Sequence, residues 1–175
     1  MSSRVKIKQV ENLQNILDGL EPGGTSGQIQ YNNDGSLDGA NSLYYDDVND
    51  RVGIGTTNPN EKLDIQGNVK VQNSLLSNQQ NAGVDTGTET IATISATDYD
   101  GVFFDYLIKN GTNLRAGTIT AVHDGTNVEF TETSTQDLGD TTDVELFVEL
   151  VSGDLTLKAE SQSDNWIVKS LIRAL

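Results

Sequence analysis

The stretch from residue 44 to residue 71, YYDDVNDRVGIGTTNPNEKLDIQGNVKV, constrains the fold of this chain more than any other. Its short apolar runs are broken by Gly53 and Gly55, by Asn58-Pro59 and by Gly67-Asn68. Residues of these types predict turns, and the alternating residues between them predict short strands. Glycine at alternate strand positions also lets another backbone approach closely.

The composition of the whole chain limits how it can be stabilised. Of its 175 residues, 35% are hydrophobic and 6% are aromatic, which is low for a self-sufficient globule. A monomer of this composition would struggle to bury enough surface to offset the entropy of its chain. We therefore expect apolar surface to be buried between subunits.

The formal net charge of −15 argues against nucleic acid and against an anionic membrane surface as partners. No apolar run approaches the roughly 20 residues that a membrane span needs. The chain has no cysteine, so its stability does not depend on an oxidising compartment.

Residues 1–8, MSSRVKIK, are the one clearly basic stretch of this acidic chain, and their apolar and polar residues alternate. They are either a peptide that docks on an acidic partner or a frayed terminus. The candidate docking residues are Arg4, Val5, Lys6, Ile7 and Lys8.

Residues 9–20 change to a helical period, because Val10, Leu13, Leu17 and Leu20 are spaced as in a coiled coil. Two heptads are too short to be stable alone. The segment is expected either to form a small three-helix bundle with two symmetry copies or to pack on its own domain. Residues 21–27, EPGGTSG, are expected to form a flexible linker, and the N-terminal region is taken as residues 1–23.

Residues 24–72 are predicted to form short strands. Residues 28–31 and 42–45 are separated by turn signals at 32–35 and at Asp38-Gly39, and two later strands are broken at Gly67-Asn68. The alternating apolar residues of the later strands are Val52, Ile54, Leu63, Ile65, Val69 and Val71.

This region resembles the shaft repeat of tailed-bacteriophage fibre and virion structural proteins, of the marine or cyanophage type. The resemblance is carried by GQIQY at 27–31, VGIGT at 52–56, Asn58-Pro59 and KLDIQG at 62–67. It implies that three chains intertwine in a short β shaft. With the heptad, it implies a trimer interface at Val10, Leu13, Leu17, Leu20, Val52, Ile54, Leu63 and Ile65.

Residues 73–90 are polar and weakly periodic, which is typical of a linker. Residues 91–175 then predict an antiparallel β-sandwich or a jelly-roll-like domain, since short strands and turn signals recur about every ten residues. The predicted strands cover residues 91–97, 102–109, 114–123, 127–133, 143–151, 154–161 and 165–173.

The sequence offers no constellation that points to an enzyme, a cofactor or a metal. Gly53 and Gly55 lack the third glycine and the following helix of a dinucleotide-binding loop. His123 is the sole histidine and is best explained as a strand-end residue. The acidic residues at Asp98-Tyr99-Asp100-Gly101 fit a turn and lack the full ligand pattern of a calcium loop.

These observations and the resemblance together imply a mainly β, non-enzymatic, homotrimeric fibre protein of the virion. Its N-terminus would bind other virion structural proteins, and residues 91–175 would form a tip that contacts a host-surface glycan or protein. The candidate receptor contacts are Tyr99, Asn110, Asn113, Asp124 and Asn127. The alternative is a passive decoration or connector protein of the head or tail that binds only virion proteins.

Overall fold

The structure, a computed structural model, describes Leu13, Leu17 and residues 21–175. It is mainly β, and residues 21–175 contain strands β1 to β13 and no helix. The chain divides into two compact units, Met1–Gln66 and Gly67–Leu175. The predicted helix of residues 9–20 and the docking residues 4–8 lie outside the described residues, apart from Leu13 and Leu17.

The N-terminal unit contains one four-stranded sheet in the order β1-β2-β3-β4. Its strands are β1 (Gln28–Asn33), β2 (Ser36–Asp46), β3 (Arg51–Ile54) and β4 (Leu63–Ile65). β1, β2 and β3 pair antiparallel, whereas β3 and β4 pair parallel. The loop of residues 55–62, which contains the predicted Asn58-Pro59 turn, makes the crossover that a parallel pair requires.

The two turn signals of the β1–β2 region have different outcomes. Asp34 and Gly35 form a two-residue loop with φ values of 50° and 94°, as the predicted hairpin requires. The turn predicted at Asp38-Gly39 is wrong, because both residues lie inside β2. A β-carbon on Gly39 would lie 2.5 Å from Oε1 of Gln28, so glycine here permits close packing and not a reversal.

The C-terminal unit contains two antiparallel sheets. The six-stranded sheet has the order β10-β9-β8-β13-β6-β5, and the three-stranded sheet has the order β11-β12-β7. The strands are β5 (Val69–Val71), β6 (Ser74–Val84), β7 (Gly87–Ser95), β8 (Gly101–Asn110), β9 (Asn113–His123), β10 (Val128–Ser134), β11 (Val144–Val151), β12 (Asp154–Ser161) and β13 (Trp166–Ala174).

The two sheets of this unit enclose one hydrophobic core. Alternate residues of the central strands are buried, as in β8, where Val102, Phe104 and Ile108 are inaccessible to solvent. Leu155 and Leu157 of β12 belong to the same core from the other sheet. The unit is therefore a sandwich, as predicted, but sheets of six and three strands do not match the eight-stranded jelly roll.

The seven strands predicted between residues 91 and 175 are confirmed as β7 to β13, with small shifts at their ends. The linker predicted at residues 73–90 is wrong. These residues form β6 and the beginning of β7, and β6 pairs with β13 along most of its length. Polar residues mask this strand in the sequence, because its inward-facing Ser77, Gln79 and Asn81 are polar too, and Gln79 and Asn81 hydrogen-bond to β7.

Within the described residues, no helix has the length and hydropathy that a membrane span requires.

Candidate interaction surfaces

One face of the N-terminal sheet is apolar and open. Residues paired across neighbouring strands point to the same side of a sheet, and two adjacent rows of paired residues cross β2, β3 and β4. The rows are Leu43, Ile54 and Ile65, and Tyr45, Val52 and Leu63. We call these six residues the apolar face.

The side chains of the apolar face are partly exposed to solvent and do not form a buried core. Leu63 is 57% exposed, Ile54 41% and Tyr45 40%, and the other three are half-buried. No large apolar side chain of residues 21–66 is fully buried, since the buried positions in that range are Gly39, Gly53 and Pro59. The six residues of the apolar face are therefore the main apolar surface that the described part of this sheet exposes to solvent.

The opposite face of the same sheet is partly occupied by the chain itself. Gly53 lies on that face and is buried, and a β-carbon on it would lie 2.2 Å from the carbonyl oxygen of Thr56. The loop after β3 is held there by Arg51, whose guanidinium Nη1 donates to the Pro59 carbonyl at 2.8 Å. Among the described residues, the loop after β3 therefore covers part of this opposite face, and no described segment covers the apolar face in the same way.

The structure brings together four of the eight predicted trimer-interface residues. Val52, Ile54, Leu63 and Ile65 share the apolar face, and Leu43 and Tyr45, which the sequence analysis missed, complete it. The signal that finds these two is the alternation of Leu43 and Tyr45 two residues apart in β2. Leu13 is half-buried and Leu17 is 40% exposed. Val10 and Leu20 lie outside the described residues.

Tyr99 is not an exposed receptor contact, and its prediction is wrong. Its side chain is only 7% exposed and belongs to the sandwich core. His123 ends β9, and its Nδ1 accepts from the backbone N–H of Gly125 at 3.0 Å. Its Nε2 therefore carries the proton and donates to the Tyr99 carbonyl at 2.8 Å. His123 thus links the backbone at Tyr99 to the turn after β9 by hydrogen bonds.

Asp124 and Asn127 are exposed, but they mainly satisfy each other. Oδ1 of Asp124 accepts from the backbone N–H groups of Thr126 and Asn127 at 2.9 and 2.7 Å, and Oδ2 accepts from Nδ2 of Asn127 at 2.9 Å. These hydrogen bonds, above all those from Asn127, lower the pKa of Asp124 to about 2. The loop is a rigid, self-satisfied turn.

Asn110 and Asn113 are half-buried at the opposite end of β9 from Asp124. Nδ2 of Asn110 donates to the carbonyl of Asp164, and Oδ1 of Asn113 accepts from the backbone N–H of Asp140. The length of β9 separates the two turns by roughly 30 Å or more at 3.4 Å per residue. The structure therefore does not gather the predicted receptor contacts into one site.

A polar network that the sequence analysis missed lies at the edge of the sandwich. The hydroxyl of Tyr106 donates to Glu132, whose Oε1 lies 3.9 Å from Nε of Arg115. Nη2 of Arg115 donates to the Val144 carbonyl at 2.8 Å and so joins the two sheets. Burial and the hydrogen bond to Glu132 raise the pKa of Tyr106 to about 12. Because its hydroxyl keeps its proton at neutral pH, Tyr106 can donate the hydrogen bond to Glu132 that holds this network together.

No group of three or more His, Cys, Asp or Glu side chains within the described part of the chain is arranged to hold a metal ion.

The outer face of the six-stranded sheet carries a shallow cavity of about 660 Å³. Asp105 lies in it and accepts from Oγ1 of Thr118 at 2.7 Å and from Nε of Arg173 at 3.2 Å. The guanidinium of Arg173 also lies 4.8 Å from the centre of the Phe103 ring. The carboxylate is thus already neutralised by a neighbour on the same face.

The sequence matches no protein-family profile and no curated protein. Among solved structures it is similar to the tailspike protein of Acinetobacter phage vB_ApiP_P1, at 12% sequence identity and a TM-score of 0.33. The similarity covers 70% of this chain and 26% of the tailspike, so the chain spans about a quarter of that protein. At this TM-score the likeness carries no argument about the function of the chain.

Proposed function

We propose that the chain is the non-enzymatic subunit of a homotrimeric virion fibre. The N-terminal sheet belongs to the shaft, and the C-terminal sandwich forms the tip. The observation that carries the proposal is the apolar face, where six apolar or aromatic side chains in two rows lie open to solvent.

Apolar side chains left in water forgo the free energy that their burial would contribute. Full burial of one large apolar side chain stabilises a structure by about 1.5–3 kcal/mol. None of these side chains is fully buried by the described part of the chain, so further copies of the chain can cover them, and the number three comes from the sequence resemblance. None of the six side chains is charged, and the nearby Asp50 carboxylate accepts a hydrogen bond from the Tyr45 hydroxyl at 2.9 Å, so the centre of the face adds no repulsion between copies with a net charge of −15.

The sequence resemblance supports a fibre over other assemblies. The segments that resemble the shaft repeat, at 27–31, 52–56 and 62–67, supply most of β1, all but one residue of β3 and the whole of β4. Residues 1–20 would then dock the trimer on other virion proteins and extend its interface as a helix bundle.

The C-terminal sandwich, as the tip, would contact a host-surface glycan or protein. Three weak sites on one axis bind a repetitive surface far better than one site does, because the second and third contacts form at high effective concentration.

A passive decoration or connector protein is the second candidate, and one observation favours it. The exposed side chains predicted to contact a receptor, Asp124 and Asn127, already hydrogen-bond each other, and Tyr99 is buried. Deletion of residues 1–20 separates the candidates. A fibre so shortened fails to join particles but still binds cells, whereas a connector does neither.

The mass of the full chain in solution tests the trimer. Native mass spectrometry is expected to give three copies per particle for the parent chain and mainly monomer for Ile54→Asp, which places a charge in the apolar face. Val48→Asp makes the same charge change at a position 84% exposed in the β2–β3 turn, and should leave the trimer intact. Emission from Trp166, the sole tryptophan, verifies that each variant keeps a folded sandwich. A monomeric parent chain would overturn the proposal.

A further inference from the structure

The outer face of the six-stranded sheet contains a second open apolar area. Val69 of β5 pairs with Leu76 of β6, which pairs with Arg173 of β13, which in turn pairs with Phe103 of β8. Leu171 lies in the next row, between Asn78 and Asp105. We call Val69, Leu76, Phe103 and Leu171 the outer patch.

The outer patch is open to solvent in the same way as the apolar face. Leu171 is 44% exposed and Leu76 is 42% exposed, while Val69 and Phe103 are half-buried. Their β13 neighbours on the inner side, Ser170 and Ile172, are almost inaccessible. Strand β13 thus presents apolar side chains on both faces, and only one face is covered by its own unit.

Charge distinguishes the outer patch from the other exposed sheet face of the unit. Among the described residues, three charges lie beside the patch: Asp105 and Arg173, which pair with each other at 3.2 Å, and Lys169, two residues before Leu171 on the same face of β13. The outer face of the three-stranded sheet instead carries Glu145, Glu149 and Glu160, opposed there by Lys158. Two copies of a chain with a charge of −15 would repel more strongly through the glutamates of the second face than through the outer patch.

The connection between the units supplies the second argument. Only residues 66–68 separate β4, which carries part of the apolar face, from β5, which begins the outer patch. Whatever angle the units adopt, association through the apolar face holds the C-terminal units of the copies at high effective concentration. A patch of four residues that is too small to associate alone can then bind.

We propose that the outer patch is a second self-association surface, occupied by the C-terminal unit of a neighbouring copy. This inference rests on the proposed trimer, because the apolar face supplies the tether. It gives the C-terminal unit a self-association surface of its own, with Leu76 and Leu171 as its central contacts.

The test uses the full chain and two variants of opposite charge. Leu76→Asp lies next to Arg173, and Leu171→Lys lies next to Asp105, so each new charge has a partner within its own sheet. Both should raise the dissociation constant of the trimer by roughly tenfold or more, because a charged group would be desolvated at the interface. Sedimentation equilibrium over a dilution series measures that constant.

The matched control is Val151→Asp, at a residue 38% exposed on the three-stranded sheet, and it should leave the constant unchanged. Opposite charges in the two test variants exclude a simple effect of net charge. Trp166 fluorescence verifies that the sandwich stays folded.

The outcomes separate the two proposals. If Ile54→Asp gives monomer while Leu76→Asp and Leu171→Lys match Val151→Asp, the outer patch is not an interface and the trimer proposal stands. If the parent chain is a monomer, both proposals are wrong. Weakening by both outer-patch variants, with the control unchanged, supports the second surface.

Discussion

The two units of this chain place their apolar side chains in contrasting ways. Every fully buried large hydrophobic residue in the described part of the chain lies between residues 84 and 174, inside the sandwich. The N-terminal sheet, by contrast, aligns six apolar or aromatic residues on one face and covers none of them completely. The C-terminal unit has an interior of its own, whereas the described part of the N-terminal unit leaves its apolar residues on an open face.

This contrast corrects the expectation drawn from composition. A hydrophobic content of 35% predicted that the chain as a whole would lack a self-sufficient core. The average conceals the distribution, because two sheets packed face to face let alternate residues of each strand share one core. The expectation of a missing core is wrong for the sandwich, and it describes only the N-terminal sheet.

The largest effect is expected from the sandwich core. Phe104→Ala removes a fully buried ring at the centre of β8 and should lower the free energy of unfolding by about 3–5 kcal/mol. Denaturant titration followed by Trp166 emission measures this change. Phe130→Ala, at a position 43% exposed in the edge strand β10, is the matched control and should cost far less. Equal losses would mean that the sandwich core is not the main source of stability.

A smaller effect is expected in the N-terminal unit from Gly53→Ala. The added methyl would meet the Thr56 carbonyl oxygen at 2.2 Å, and relieving such a clash costs roughly 1–3 kcal/mol. Hydrogen exchange of the backbone amides in β2 and β3 should accelerate, while Trp166 emission stays unchanged. Gly83→Ala is the control, since its β-carbon would meet nothing within 4 Å. Unchanged exchange would show that the loop after β3 adapts freely.

Alkaline pH should weaken the sandwich through Tyr106. Its pKa is raised to about 12 from 10.0, so its contribution to stability is complete below pH 10 and is lost as the pH rises through 12. Ultraviolet absorbance of tyrosinate should show one late titration in the parent chain that Tyr106→Phe lacks. Glu132→Gln removes the neighbouring carboxylate charge and should move that titration to lower pH. A parent chain without a late titration would contradict the network.

The smallest effect is expected on the carboxyl pKa values of two similar turns, one in each unit. Asp46 accepts from the backbone and side chain of Asn49, as Asp124 does from Asn127, and both carboxyl pKa values are lowered. A lowered pKa gives stability that is present above about pH 4 and is lost for Asp124 as the pH falls through about 2.

Carbon-13 NMR of the carboxyl groups measures both titrations. Asn127→Ala should raise the pKa of Asp124 and leave that of Asp46 unchanged. A shift of both would mean that the two turns are not independent.

Much of the fold could be predicted from local signals. The strands β7 to β13 follow alternating residues between turn signals. The hairpin at Asp34-Gly35 follows the turn signal at residues 32–35, and both loop residues adopt positive φ values. The missed strand β6 has polar residues on both faces, because the inward-facing Ser77, Gln79 and Asn81 are polar as well as the outward-facing residues, so no local pattern marks it. The apolar face was predicted in part, through Val52, Ile54, Leu63 and Ile65, since strand alternation already places the members of each pair on one side.

The sequence by itself determined where this chain turns and which side chains alternate, because both depend on residues close together along the chain. Only the tertiary structure decided which alternating face acquires a cover. Pairing β13 between β6 and β8 closes a core over Trp166, Val168 and Ile172, and strands distant in sequence must meet for that to happen. The packing of the two sheets likewise buried Tyr99, the length of β9 separated the predicted receptor contacts, and the faces around Ile54 and Leu171 stay open among the described residues.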